Sequence, residues 1–262
     1  MNSTAAPLLS LRGVTKRFGA VEALVGVDLD VHAHEVVALV GDNAAGKSTL
    51  AKVVAGVLQP DSGLIEMSGQ PVTLPTPASA HDLGVATVFQ DLALCENLDV
   101  TANLFLGREV RGTFARNDAH MEQVARGVLA ALASRIPSVR TPLSHLSAGQ
   151  RQTVAIARTL IGEPRLVVLD EPTAALSVVQ TAEVLTHIER LRDLGMGVIL
   201  ISHNMTDVRA VADRVEVLRH GRNNGSFDAQ RASYEEIIAA ITGATRIEPP
   251  LHPVETSLSA VG

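Results

Sequence analysis

Apolar and polar positions alternate along the first forty residues. Leu9 and Leu11, and then Val25, Val27, Leu29 and Val31, recur at every second position. Period two puts them on one face of antiparallel strands whose other face is wet. The pattern changes at Val36-Val37-Ala38-Leu39-Val40, a continuous apolar run that ends at a glycine. Such a run predicts a strand buried on both faces. Leu166–Leu169 followed by Asp170, Val198–Ile201 and the shorter Val215–Leu218 repeat the signal, and Val85–Phe89 predicts one more short strand.

Helical spacing fills the gaps. A helix is predicted from about Lys47 to Val57, and Gln59-Pro60-Asp61-Ser62-Gly63 follows it as a turn cluster. Residues from about 93 to 162 are expected to be mostly helical, with Met121, Val124, Val128 and Leu132 on one apolar stripe. A later helix is expected to turn Leu185, Ile188 and Leu191 inward. Strands alternating with helices predict an α/β fold around a parallel sheet, with an antiparallel β region at its start and a helical insert at 93–162. No internal repeat is visible. Residues 1–243 are expected to form the domain; 244–262, with Pro249, Pro250 and Pro253 and no periodicity, are expected to be a loosely ordered tail.

Composition narrows the reading. Only 2% of residues are aromatic although 46% are hydrophobic, so the core must be built from Val, Leu, Ile and Ala. A formal net charge of −6 argues against a nucleic-acid partner. The single cysteine, Cys95, allows no internal disulfide, fits a reducing cytoplasm, and is expected to sit as a small buried hydrophobe. The start of the chain does not read as a secretory signal. Its apolar runs fall short of a membrane span. Any membrane role is therefore expected to go through a partner.

The chemistry begins where the first buried run ends. Gly41-Asp42-Asn43-Ala44-Ala45-Gly46-Lys47-Ser48-Thr49 matches G-x-x-x-x-G-K-[ST]. A strand that feeds such a loop into a helix points backbone N–H groups at phosphate oxygens, and the helix N-terminus favours anions. Lys47 is expected to reach the β and γ phosphates of ATP, and the Ser48 hydroxyl to ligate Mg²⁺. Leu166-Val167-Val168-Leu169 ends in two carboxylates. Asp170 suits the Mg²⁺ shell, and Glu171 suits polarisation of an attacking water. Alone, two acids at a strand end are as well read as solvated; beside a phosphate loop they read as machinery.

Leu146-Ser147-Ala148-Gly149-Gln150-Arg151-Gln152 resembles the LSGGQ signature of ATP-binding cassette (ABC) ATPases. Other landmarks of that family fall in order: Gln90 matches the Q-loop glutamine, Ala174–Ser177 the D-loop, His203 the H-loop histidine, and Phe18 the aromatic that stacks on adenine. The resemblance spans about residues 8–240. It implies a P-loop NTPase core and a head-to-tail homodimer with a second copy of the cassette. Each ATP would lie between the phosphate loop of one copy and Ser147, Ala148, Gly149 and Gln150 of the other. It further implies that Gln90 joins Ser48 and Asp170 around Mg²⁺, and that His203 contacts the γ-phosphate.

Three departures stand out. Ala44 and Ala148 replace glycines common in the family, and since alanine resists positive φ, both are expected in conformations alanine tolerates. Ala174 and Ser177 replace the usual Ser and Asp, which puts the usual aspartate contact across the dimer in doubt. With Lys47, Asp170, Glu171 and His203 all present, a working ATPase is still expected.

Phe89–Val100, Asn103–Glu109, GDNAAGKST and EPTAALS are similar to the ATPases of bacterial monosaccharide importers of the ribose, xylose and fructose group. That implies a peripheral subunit at the cytoplasmic face of the inner membrane. Its partners would be integral membrane permease subunits and, indirectly, an extracytoplasmic sugar-binding protein, with residues 91–109 as the docking surface. A soluble ABC ATPase of DNA repair or ribosomes is the rival reading. It is disfavoured by the roughly 100 residues between Lys47 and Ser147, which show no sustained heptads. A regulatory cassette that binds ATP with little turnover is a third, kept open by Ala148 and Ser177.

Overall fold

The computed structural model describes residues 6–110 and 117–244; the expected tail, from 245 onward, lies outside them. Strands β1 (Leu9–Phe18), β2 (Val21–Val31), β4 (Ser62–Met67) and β5 (Gln70–Val72) form an antiparallel sheet in the order β2-β1-β4-β5. A second sheet has the order β10-β9-β3-β8-β7-β6. In it β3 (Val36–Val40), β6 (Val85–Val88), β7 (Leu166–Asp170), β8 (Gly197–Ile201) and β9 (Arg214–Arg219) run parallel, and β10 (Arg222–Asp228) returns antiparallel to β9. Every residue of β3, β7 and β8 is buried, as their unbroken apolar runs require.

The six-stranded sheet separates two cores. Val37, Leu39, Val168, Ile199 and Ile201 face the antiparallel sheet and helix α1 (Lys47–Val54). Val36, Ala38, Val40, Val167 and Leu169 face the other side. There they meet α5 (Ala148–Leu160), α6 (Val178–Asp193) and α7 (Met205–Val211). Of the remaining helices, α2 (Pro77–Asp82), α3 (Val100–Leu104) and α4 (Asp118–Ala131) lie between β5 and α5 in the chain, and α8 (Tyr234–Thr242) follows β10.

Several expectations need correction. Val25 is only half-buried, and Leu24 takes the inward position. The register of β2 against β1 passes from Val14↔Val27 to Lys16↔Leu24, so β2 carries one extra residue there. A bulge of this kind reverses the side-chain phase. The turn cluster at 59–63 overlaps the start of β4, and the β4–β5 hairpin was not foreseen. Helix α1 stops at Val54, three residues early. Residues 93–162 are less helical than expected: among the described residues, 93–99, 105–110 and 132–147 carry no α-helix, only the 3-10 turn Leu143–His145. The apolar stripe of α4 runs through Met121, Ala125 and Leu129 to Leu132, with Val124 and Val128 only partly buried on its flank. Ala125 is fully buried in the middle of that stripe. On α6 the inward residues are Val184, His187, Ile188 and Leu191, with Leu185 at the margin. Cys95 is half-buried rather than enclosed.

Candidate nucleotide site

The phosphate loop joins β3 to α1. Gly46 caps α1 at φ 106°, and a Cβ there would lie 2.6 Å from the Ala23 carbonyl oxygen. Only glycine meets both conditions. The loop is held from outside as well. The Gly221 amide, at the tip of the β9–β10 hairpin, donates to the Ala45 carbonyl at 3.0 Å, and the Gly221 carbonyl accepts from Val25 at 2.7 Å. Ala44 corrects the sequence expectation: its φ is 63°, in the left-handed region. That conformation costs a non-glycine residue on the order of 1 kcal/mol. Ala148 sits in the first helical turn of α5 and needs no unusual backbone.

Lys47 is 9% exposed. Its Nζ donates to the carbonyls of Gly41 at 2.7 Å and Asp42 at 2.9 Å. Burial lowers its pKa, while Glu171, Asp170 and Asp42 pull it back up. Asp170 ends β7 and is 7% exposed. Burial pushes its carboxyl above the ordinary value. A hydrogen bond from Ser48 and the charge of Lys47 oppose the rise, and Glu171 adds to it. A hydroxyl bonded to a desolvated carboxylate is an all-oxygen donor pair, the chemistry that suits Mg²⁺.

Glu171 stands at φ 52°, its amide bonded to the Ile201 carbonyl of the neighbouring strand at 2.9 Å. This turn aims its carboxylate along the sheet edge, where Oε2 lies 2.8 Å from His203 Nδ1. His203 follows β8, and its side chain is 72% exposed. Gln90 follows β6 and is exposed. Adjacent parallel strands thus deliver Asp170, Glu171, His203 and the phosphate loop to the same edge of the sheet, the edge at which open α/β sheets bind ligands. Phe18 ends β1, 47% exposed, with Lys16 Nζ 5.8 Å from its ring centroid.

The signature lies on a different element. Ser147 caps α5 in a reciprocal box with Gln150: Ser147 Oγ accepts from the Gln150 amide at 3.2 Å, and Gln150 Oε1 from the Ser147 amide at 2.9 Å. Among the described residues no hydrogen bond or ion pair joins 147–150 to 41–49. Ser177 caps α6 in the same way with Gln180. Sequence reasoning passed over Gln180, although S-x-x-Q at 147–150 and again at 177–180 is a capping pattern. It also passed over Asp207, which is buried on α7 and accepts from Thr173 Oγ1 at 2.7 Å, pinning the loop after the acid pair.

The stretch after Gln90 is held rigidly. Arg158 donates to the carbonyls of Leu92 at 2.8 Å and Ala93 at 2.9 Å. Buried Asn103 accepts from the Cys95 amide at 2.8 Å and donates to the Cys95 and Asp99 carbonyls at 3.0 Å each. Beside it opens a cleft of about 340 Å³ lined by His81, Phe89, Leu106, Arg108 and Arg158 among others. No helix among the described residues is long and apolar enough to cross a membrane.

Comparison with known proteins agrees with this arrangement. The profile of the ABC transporter family matches residues 24–174. The chain is 42% identical to a xylose/arabinose import ATP-binding protein of Sulfolobus acidocaldarius, over 90% of this chain and 94% of that one. It is 40% identical to a fructose import ATP-binding protein of Rhizobium meliloti, over 93% and 96%. A ribose import ATP-binding protein of Rubrobacter xylanophilus is also 40% identical, but the match takes in only 47% of its length. Among solved structures, the ADP conformation of an ATP-binding cassette of an ABC transporter superposes with a TM-score of 0.77 at 25% identity, covering 90% of this chain and 95% of that one. The chain belongs to the ABC transporter family, as an ATP-binding and ATP-hydrolysing cassette.

Proposed function

We propose that this cassette drives import of a monosaccharide, working at the cytoplasmic face of the cell membrane on integral permease subunits supplied by an extracytoplasmic sugar-binding protein. The observation that carries the reading is the row of strand ends bearing the phosphate loop, Asp170, Glu171 and His203. Similarity at about 40% to pentose and fructose import ATP-binding proteins supplies the cargo class.

In this reading residues 1–243 act as one cassette, with 93–162 as its signature-bearing arm. Gly41 through Thr49 wraps the phosphates of ATP, with Lys47 on the β and γ groups, and Phe18 covers the adenine. Ser48, Gln90 and Asp170 would hold Mg²⁺, which when bound supplies charge neutralisation between the phosphates. Glu171 accepts a proton from the attacking water and turns it toward the γ-phosphate. His203, 2.8 Å from Glu171, fixes that carboxylate and contacts the γ-phosphate. Ser147, Ala148, Gly149 and Gln150 close the site from a second copy, where the α5 N-terminus faces the anion. Residues 91–109 and the neighbouring cleft form the docking surface for the permease; the Arg158 and Asn103 contacts make that segment stiff enough to transmit force.

Mild-detergent capture of the chain from native membranes, with mass identification of what co-purifies, tests this. A multi-span protein together with an exported sugar-binding protein is the expected recovery. Recovery of ribosomes or DNA-repair factors, with nothing from the membrane, would refute the transport role.

A further inference from the structure

Helix α6 meets the first turn of the signature helix through two polar side chains. The first contact is packing. A methyl group placed on Gly149 would lie 2.8 Å from Gln180 Cγ and 2.9 Å from Gln180 Cβ, so the Gln180 stem lies directly against the glycine. The same side chain caps α6: its Oε1 accepts from the Ser177 amide at 3.1 Å. Gln180 therefore touches both the loop that follows Glu171 and the signature. The second contact is a hydrogen-bonded chain. Thr153 Oγ1 donates to the Gly149 carbonyl at 3.0 Å and lies 3.0 Å from His187 Nε2. With the proton on Nε2, His187 donates to Thr153 while Thr153 donates to Gly149, and both bonds are made. His187 and Thr153 are 1% and 0% exposed.

Neither contact is needed to form the helices. Helix α5 carries its own cap, and apolar residues at 153 and 187 would fill the space without burying a hydroxyl and an imidazole. Polar groups buried at a helix–helix contact constrain geometry at some cost in stability. Both converge on the backbone of one residue, Gly149.

We propose that Gln180 and His187 are positioning residues that set the orientation of Gly149, and with it Ser147 and Ala148, for contact with the partner copy's nucleotide. They also tie that orientation to the loop following Glu171. The inference rests on the composite-site reading above. It explains a chain without the usual D-loop aspartate: Ser177 is engaged with Gln180, and Gln180 is engaged with the signature.

The test uses the full chain in a Glu171→Gln background, with ATP-driven dimerisation followed by sedimentation. Adding Gln180→Ala should raise the ATP concentration for half-dimerisation by about tenfold. Affinity for a fluorescent ATP analogue, measured on dilute monomer, should stay unchanged, because the phosphate loop is untouched. Gln180→Glu keeps the stem and the capping acceptor and should restore dimerisation. Where Gln180→Ala proves unstable, His187→Leu carries the test, since it keeps the buried volume and should shift dimerisation in the same direction. Dimerisation at the parental ATP concentration in the folded variants would overturn this inference alone. Failure of the Glu171→Gln parent to dimerise at any ATP concentration would overturn the composite site and this inference together.

Discussion

Replacing Lys47 with methionine removes one charge and two hydrogen bonds while keeping an unbranched stem and a good helix former at the start of α1. The bonds run to Gly41 and Asp42, at 2.7 and 2.9 Å. Asp42 is exposed and Gly41 half-buried, so both carbonyls regain water when the ammonium leaves. Burial already disfavours the charge on Lys47. The loss of folding stability should therefore stay near 1 kcal/mol, a fall of about 2–4 °C in Tm. ATP loses a charge-assisted contact to its phosphates, worth about 1.5–3 kcal/mol, or roughly 10- to 160-fold in Kd. Asp170 also loses a cation that holds its pKa down, so its carboxyl should rise further. Anisotropy titration with a fluorescent ATP analogue, beside thermal unfolding of the same samples, measures both quantities. A Kd within about twofold of the parent at unchanged Tm would refute the phosphate role. A fall in Tm well beyond 4 °C would show that Lys47 serves the loop's own structure. Arginine should not substitute, because its planar fork does not fit where a compact ammonium meets two carbonyls.

Other perturbations probe neighbouring parts of the molecule. Glu171→Gln should cut ATP turnover by at least about a hundredfold while a dimer accumulates on ATP, detectable by light scattering; a monomer at saturating ATP would count against the two-copy site. His203→Ala removes the partner of Glu171 and should lower turnover with stability within about 0.5 kcal/mol, because the side chain is exposed; wild-type kcat would refute its role. Gly46→Ala sets a Cβ 2.6 Å from a backbone oxygen and should destabilise the fold by roughly 2–4 kcal/mol in urea titration. Burial lowers the pKa of His187 from 6.5, so below that value the unfolded chain takes up the proton first and stability falls as pH drops. His187→Leu should flatten the change in urea midpoint between about pH 8 and 5.5, and equal slopes would refute the buried neutral imidazole.

The motifs were legible because each is a local requirement. A loop that wraps phosphate needs its glycines and lysine at fixed offsets, and an unbroken apolar run has few uses other than a doubly covered strand. What escaped depends on contacts between distant segments. The bulge in β2 that puts Leu24 inward in place of Val25 is visible only in the register against β1. Ala125 was passed over on α4 because small residues weigh little in an apolar count, although it is fully buried. Ala44 was expected to avoid positive φ, yet the loop around it is fixed by Gly46, Gly221 and the Lys47 bonds strongly enough to impose it. Gln180 drew no reading from the sequence, because its contact with Gly149 exists only where α5 and α6 pack together.

Two hairpin tips in this protein are nearly twins. Ser68-Gly69 joins β4 to β5, and His220-Gly221 joins β9 to β10; in each pair both residues have positive φ, from 48° to 75°. The backbone twist of such two-residue turns suits both strands equally. Their surroundings differ. A Cβ on Gly69 would meet nothing within 4 Å, whereas one on Gly221 would lie 2.8 Å from the Ala23 oxygen, and Gly221 also carries the hydrogen bonds that brace the phosphate loop. For anyone who needs to graft an epitope, a fluorophore or a crystallisation chaperone's binding site onto the cassette, residues 68–69 offer an insertion point that leaves the motor intact. The same graft at 220–221, beyond the last of the family landmarks at His203, is expected to loosen the phosphate loop and weaken nucleotide binding.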